Sequence, residues 1–147
     1  MRPKKYILVI PFMILLGSIV FVRIFRIYFV SGDSMAPSLT DGQVVLLMRD
    51  VGYEDIDVGD VIVFNSAENG FCIKRVAAKA GDSITQKHGE LHINNACKYR
   101  YSTSVVVEYV VKDNEFYVLG DNSYNSTDSR SKGTVPYCNV VGKVVLS

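Results

Sequence analysis

Three stretches of this 147-residue chain carry side chains capable of chemistry. The first is Ser31-Gly32-Asp33-Ser34-Met35-Ala36-Pro37-Ser38-Leu39. With Gly32 before it and Pro37 after it, Ser34 sits in a stiff, exposed turn. Its hydroxyl is a candidate nucleophile and its N–H a candidate oxyanion donor. A nucleophilic serine needs a base. Only two histidines exist, His88 and His92, and both fall in one predicted hairpin. Lysine can serve instead where desolvation makes the neutral amine accessible. Lys74 meets that condition, because it lies in the apolar run Phe71-Cys72-Ile73-Lys74-Arg75-Val76-Ala77. The third stretch, Gly120-Asp121-Asn122-Ser123-Tyr124-Asn125-Ser126-Thr127-Asp128-Ser129-Arg130, holds more hydroxyls and carboxamides than a simple turn requires. It suits groups that orient catalytic side chains. Each stretch also has a plainer reading: a Gly/Ser/Asp/Pro turn, an edge-strand lysine that discourages aggregation, and a polar turn with an Asp–Arg pair. His88 and His92 lack further clustered ligands, so no metal and no cofactor is expected.

The elements that must position these residues read as β. Short valine-rich runs, cut by Gly, Asp and Asn, predict strands at Val44–Met48, Val61–Phe64, Phe71–Val76, Ser83–Gln86, Glu90–Ile93, Val105–Val111, Glu115–Leu119 and Val140–Leu146. His88-Gly89 joins two of them as a hairpin, since glycine supplies the positive φ such turns need. The N-terminus differs. Tyr6 to Val22 is a run of 17 uncharged residues, near the lower limit of the roughly 20 needed to cross a bilayer. Arg23 and Arg26 can snorkel while Ile24, Phe25, Ile27, Tyr28 and Phe29 sit at headgroup level. Arg2, Lys4 and Lys5 would also suit a removable secretory signal, but no small-x-small cleavage site follows the run, which favours an uncleaved anchor. Three basic residues before the span and two after it favour an N-terminus inside.

Charge is as uneven as hydropathy. The net charge is +1, yet all 15 acids lie at Asp33 or beyond, and from Ile27 onward 11 basic residues face 15 acidic ones, a net of −4. That leaves no basic patch for nucleic acid. Cys72, Cys97 and Cys138 cannot all pair within one chain, so no disulfide framework is indicated.

In order and wording the three stretches resemble type I signal peptidases, the Ser/Lys-dyad membrane proteases that remove signal peptides. Gly32–Leu39 looks like the nucleophile motif, Ile56–Phe64 like the strand that follows it, and Lys74-Arg75-Val76 with Gly81-Asp82 like the general-base motif. His88–Asn94 is similar to the family's glycine-containing hairpin, Gly120–Arg130 to its Gly-Asp-Asn…Asp-Ser-Arg box, and Gly133–Lys143 to its closing segment. Ala80, Ser38 and Ser123-Tyr124 depart from common family residues without removing a reacting group. Gly32 stands where some members carry a serine that helps hold the oxyanion, which leaves backbone donors, above all the Ser34 N–H.

The resemblance implies a mainly all-β fold: a small signal-peptidase/LexA-like β domain preceded by one N-terminal transmembrane helix. It implies residues 1–5 as a cytoplasmic N-terminus, 6–26 as the anchor and 27–147 as an extracytoplasmic catalytic domain on a bacterial cytoplasmic membrane. Ser34 would be the nucleophile and Lys74 the base, with Ser126 hydrogen-bonded to Lys74 to orient it. Arg75, Asp121, Asp128 and Arg130 would make supporting ion pairs. Val30, Met35, Leu39 and Ile73 are the expected walls of the substrate site. The substrates would be preprotein signal peptides with small residues at the first and third positions before the cut (Ala-x-Ala type), and the other partner the lipid bilayer. A non-proteolytic, membrane-tethered assembly or chaperone relative and a Ser/Lys self-cleaving regulator are the alternatives. The first would be expected to lack Ser34 or Lys74, the second to have a soluble N-terminus.

Overall fold

The computed structural model describes residues 9–100 and 106–146. A helix, α1 (Val9–Ile24), leads into β1 (Phe25–Phe29), and the described elements that follow are antiparallel strands apart from three short helical turns. Helix α1 buries none of its residues. Its 16 residues rise about 24 Å, and among the described residues no helix is long and apolar enough to cross a membrane. Tyr6 to Leu8 of the expected anchor, and the five residues before them, lie outside the described residues.

Phe25 to Phe29, expected at the end of the anchor and at headgroup level, instead form a strand, which corrects that reading. They pair residue for residue with β2 (Val44–Met48), from Phe25 opposite Met48 to Phe29 opposite Val44. The physical reason is local: three aromatic side chains and a β-branched one suit a pleated surface, and β2 offers an edge to complete. The Arg49 N–H donates to Ile24 O at 2.7 Å, which secures the change from helix to strand.

Two sheets follow. Seven strands lie in the order β1-β2-β11-β3-β4-β9-β10, where β3 is Val61–Ser66, β4 Gly70–Ala78, β9 Glu115–Leu119, β10 Val135–Pro136 and β11 Val140–Leu146. Four more lie in the order β7-β6-β5-β8, where β5 is Ser83–Lys87, β6 Glu90–Ile93, β7 Ala96–Arg100 and β8 Val107–Val110. The expected strands at Val44–Met48, Glu90–Ile93, Glu115–Leu119 and Val140–Leu146 match in both bounds, while Val105 of the expected Val105–Val111 lies outside the described residues. Strands β1, β7 and β10 were not anticipated. The β5–β6 turn has both His88 and Gly89 at positive φ, 50° and 79°, so histidine shares the conformation expected of glycine alone.

Strand β9 explains why its sequence is apolar without alternation. Phe116 and Val118 enter one core with Ile62, Phe64 and Val76, and Tyr117 and Leu119 enter a second with Ile84, Leu91 and Ile93. Both faces are buried, as for any strand between two packed layers. A third core of Val30, Met35, Leu39, Val45, Leu47 and Val63 lies beneath the β1–β2 connection.

At the centre of the large sheet, β11 crosses between β2 and β3 at Gly142, where an added Cβ would stand 2.5 Å from the Met48 carbonyl oxygen. Backbone cannot yield as a side-chain tip does. Gly142→Ala is therefore expected to destabilise the fold by about 1–3 kcal/mol, read as a lower urea midpoint in far-UV circular dichroism of the full chain in detergent.

Candidate active site

The expected nucleophile and base come from two different elements, the β1–β2 connection and strand β4. Ser34 lies in the 30–43 connection between β1 and β2. Val30 N donates to Gln43 O at 2.8 Å and Gly42 N to Val30 O at 2.9 Å, which close the connection at its neck. Gly32, at φ +82°, donates its N–H to Asp41 Oδ1 at 2.7 Å. Beyond Ser34 the chain plugs inward through Met35 and Leu39, linked by Leu39 N to Met35 O at 2.9 Å. Ser34 is thereby held half-buried at the rim of an apolar plug rather than on a free loop.

Lys74 lies in β4, an interior strand paired with β3 on one side and β9 on the other, which excludes the edge-strand reading. It is opposite Ile62, and alternation puts it on the face of β4 shared by Cys72 and Val76. Only 5% of it is exposed. Its Nζ lies 2.7 Å from Ser34 Oγ and 3.0 Å from Ile73 O. Burial pushes the Lys74 pKa below its ordinary value, against the opposing pull of Cys72, Asp128 and Asp121. A neutral amine is thus made more accessible beside a hydroxyl.

The two carboxylates nearest this amine are each committed to an arginine. Arg75 grips Asp121 with two hydrogen bonds, of 2.8 and 2.5 Å, and also donates to Gly59 O at 2.8 Å. Burial raises the Asp121 pKa, but the hydrogen bonds from Arg75 and Ser38, with the charges of Arg75 and Lys74, outweigh it and hold the carboxyl below its ordinary value. The Ser38 contact ties Asp121 to the Ser34 connection. Arg130 grips Asp128 likewise, at 2.8 and 2.7 Å, and donates to Ser123 O at 2.8 Å. Asp128 also accepts from Gly120 N at 2.9 Å and caps α2 (Ser129–Lys132) through Arg130 N. The 120–130 loop is closed on itself by these bonds.

The same loop clamps the Ser34 turn from above. Asn122 N donates to Ser34 O at 3.1 Å and Asn122 Nδ2 to Asp33 O at 3.2 Å. Gly120 sits against it so closely that a Cβ would stand 2.5 Å from Ser34 O and 2.1 Å from Ser126 Oγ. Sequence reasoning did not single out Asn122, Asp41 or Ser129, whose Oγ accepts from Val118 N at 2.9 Å. Their signal was present but general: short polar side chains at loop positions bond nearby backbone, and the type alone does not say which.

Two expectations are corrected. Ser126 Oγ is buried and has no hydrogen-bond partner among the described residues, so the expected bond to Lys74 is not formed here. The Ser126 side chain packs over Gly120 instead. Met35 and Leu39, at 0% and 3% exposure, belong to the core rather than to a substrate wall. The turn closed by the Leu39 N–H on Met35 O puts both on one side, where they fill the third core. Val30 and Ile73 do line a cleft of about 560 Å³ that Ser34 and Lys74 also line. Tyr28, Phe29, Phe71, Asn69 and Thr127 complete much of its wall, and the Tyr28 and Phe71 rings meet edge to face at 5.7 Å. The missed aromatic wall follows from the missed strand β1.

Comparison with known proteins identifies the family. The profile of the family described as signal peptidase, peptidase S26, matches residues 4–147. Signal peptidase IB of Staphylococcus aureus (strain COL) is 30% identical, over 80% of this chain and 74% of that protein. Signal peptidase I S of Bacillus subtilis (strain 168) is 34% identical, over 74% of this chain and 67% of that protein. A crystal structure of a signal peptidase I from Enterococcus faecalis V583 superposes with a TM-score of 0.49 at 24% identity, covering 60% of this chain and 96% of that one. This chain therefore belongs to the type I signal peptidases, the serine hydrolases of peptidase family S26.

Proposed function

We propose that this chain is a membrane-tethered endopeptidase that removes N-terminal signal peptides from exported preproteins, with Ser34 as nucleophile and Lys74 as general base. The observation that carries the reading is the 2.7 Å contact between Lys74 Nζ and Ser34 Oγ, made by a lysine whose burial lowers its pKa. Neutral Lys74 takes the Ser34 proton as Oγ attacks the scissile carbonyl carbon. The resulting oxyanion is held by the Ser34 N–H, which donates to no group among the described residues. Lys74 then passes its proton to the leaving amine, and water hydrolyses the acyl-enzyme with Lys74 again as base. Ser126 takes the orienting role. A buried hydroxyl without a partner costs about 1–3 kcal/mol, so it gains by accepting an N–H from Lys74 once Ser34 Oγ is bonded to the substrate carbon.

The substrate lies extended in the cleft beside Val30 and Ser31, where β1 is the edge of the large sheet and can add a strand. Small residues at the first and third positions before the cut fit between Val30, Ile73 and the aromatic walls. The anchor runs from Tyr6 to Ile24 and the extracytoplasmic domain begins at Phe25, with the N-terminus inside a bacterial cytoplasmic membrane.

Four outcomes test this. Ser34→Ala and Lys74→Arg, assayed in detergent on a preprotein with a labelled signal peptide, should each lower kcat by about 10⁴-fold or more. The guanidinium of Lys74→Arg stays protonated, so a near-normal rate would refute the base. In the wild type, kcat/KM should climb with rising pH as Lys74 loses its proton, with the midpoint of that limb below the ordinary lysine value of 10.5. Asp121→Asn, which removes a charge that favours the ammonium, should move the limb to lower pH. Finally, Gly120→Ala should cut kcat by about 100-fold, because the new Cβ must push the Ser34 backbone out of line.

A further inference from the structure

The four-stranded sheet gathers three side chains of metal-ligating type on its outer face. Glu90 and His92 stand two apart on β6, so alternation sends both to the side opposite the buried Leu91 and Ile93. The turn Asn94-Asn95 has both residues at positive φ, 51° and 65°. This is the conformation of a tight two-residue hairpin, and it returns the chain at once as β7. Cys97 is thereby placed directly across from His92. His92 Nε2 lies 3.1 Å from Glu90 Oε2, and one ligand atom from each of Glu90, His92 and Cys97 lies within 4.8 Å of the other two. Glu90 and His92 are half-buried and Cys97 is exposed, so an ion could reach them from solvent.

The donors define the ion. A thiolate sulfur, an imidazole nitrogen and a carboxylate oxygen together favour a borderline cation over Mg²⁺ or Ca²⁺. In tetrahedral Zn²⁺ sites the donors stand roughly 3.3–3.8 Å apart, so side chains already within 4.8 Å need close by only about an ångström. A surface His–Glu contact would account for two of these residues but not for the thiol opposite them.

We propose that Glu90, His92 and Cys97 form a Zn²⁺ site, with water as the fourth ligand, separate from the Ser34–Lys74 centre. The Cys97 thiol gives its proton to solvent as the sulfur–zinc bond forms. Strand β7 is the outermost of its sheet, and the ion clips it to β6.

The test uses the full, untagged, metal-free chain in detergent micelles, with Zn²⁺ titrated against a chromophoric chelator and Co²⁺ followed by absorbance. One ion per chain is expected, together with a thiolate-to-cobalt charge-transfer band. Cys97→Ser should remove the band and weaken Zn²⁺ binding by about 100-fold. His92→Gln should weaken it comparably, and Cys138→Ser should change neither. Zn²⁺ should raise the melting temperature of the wild type and of Cys138→Ser, but not of Cys97→Ser or His92→Gln. The site is overturned if the band survives Cys97→Ser, if both ligand variants bind as the wild type does, or if wild-type binding is no tighter than about 1 mM.

Discussion

An amine that is to act as a base must be dry enough to give up its proton and yet remain within reach of a hydroxyl. Lys74 is dry because β4 runs between β3 and β9, with cores packed on both sides of that strand pair. It reaches Ser34 because the β1–β2 connection folds back over the third core and stops with Ser34 at the rim. Much of the large sheet serves that meeting. Gly142 lets β11 close against β2, and β2 in turn carries the strand that leads into the Ser34 connection.

The danger to such a base is a carboxylate, since a negative charge nearby would restore the ammonium. Asp121 and Asp128 are both close enough to act in that direction, and burial still prevails over them. The arrangement of arginines explains how they are tolerated. Each carboxylate is bound at both oxygens by a planar guanidinium, and such bidentate pairs fix geometry as well as neutralise charge. With their charge balanced, the two acids are free for structural work. Asp128 caps α2 and holds Gly120, while Asp121 ties Ser38 to β4. The loop that brings negative charge to the lysine is therefore the loop that fixes the serine.

Legibility in the sequence followed the range of the forces involved. Strands β6 and β9 could be bounded because their short runs are flanked by glycine or asparagine, and β2 and β11 because their runs are valine-rich, which are local signals. Strand β1 could not, because Phe25 to Phe29 follow an apolar helix without a break, and what ends that helix is the distant edge of β2. Strand β7 hid behind Asn94-Asn95, a turn that contains no glycine. At the site, Ser34 and Lys74 stood out by type and surroundings, 40 residues apart in sequence and 2.7 Å apart in space. Met35 and Leu39 looked like walls because they flank the nucleophile. Only the inward plug of the connection, a tertiary fact, makes them core.

The missed strand also accounts for where the cleft lies. Tyr28, Phe29 and Val30 line it, and they are continuous with α1 through a single strand of five residues. Exposed apolar side chains lie beside the cleft: Ile27, Phe29 and Val44 along the β1–β2 edge, and Phe71 against Tyr28. Phe29 is 72% exposed, an unusual cost for a phenylalanine unless something apolar meets it. A peptide that reaches the cleft with its own apolar segment attached would meet this edge before it met Ser34. The edge offers unpaired backbone groups to the extended part of such a chain and apolar surface to the rest. On the proposed reading, a strand that leaves the helix and at once becomes the cleft wall would set both the height and the direction at which a substrate meets the serine.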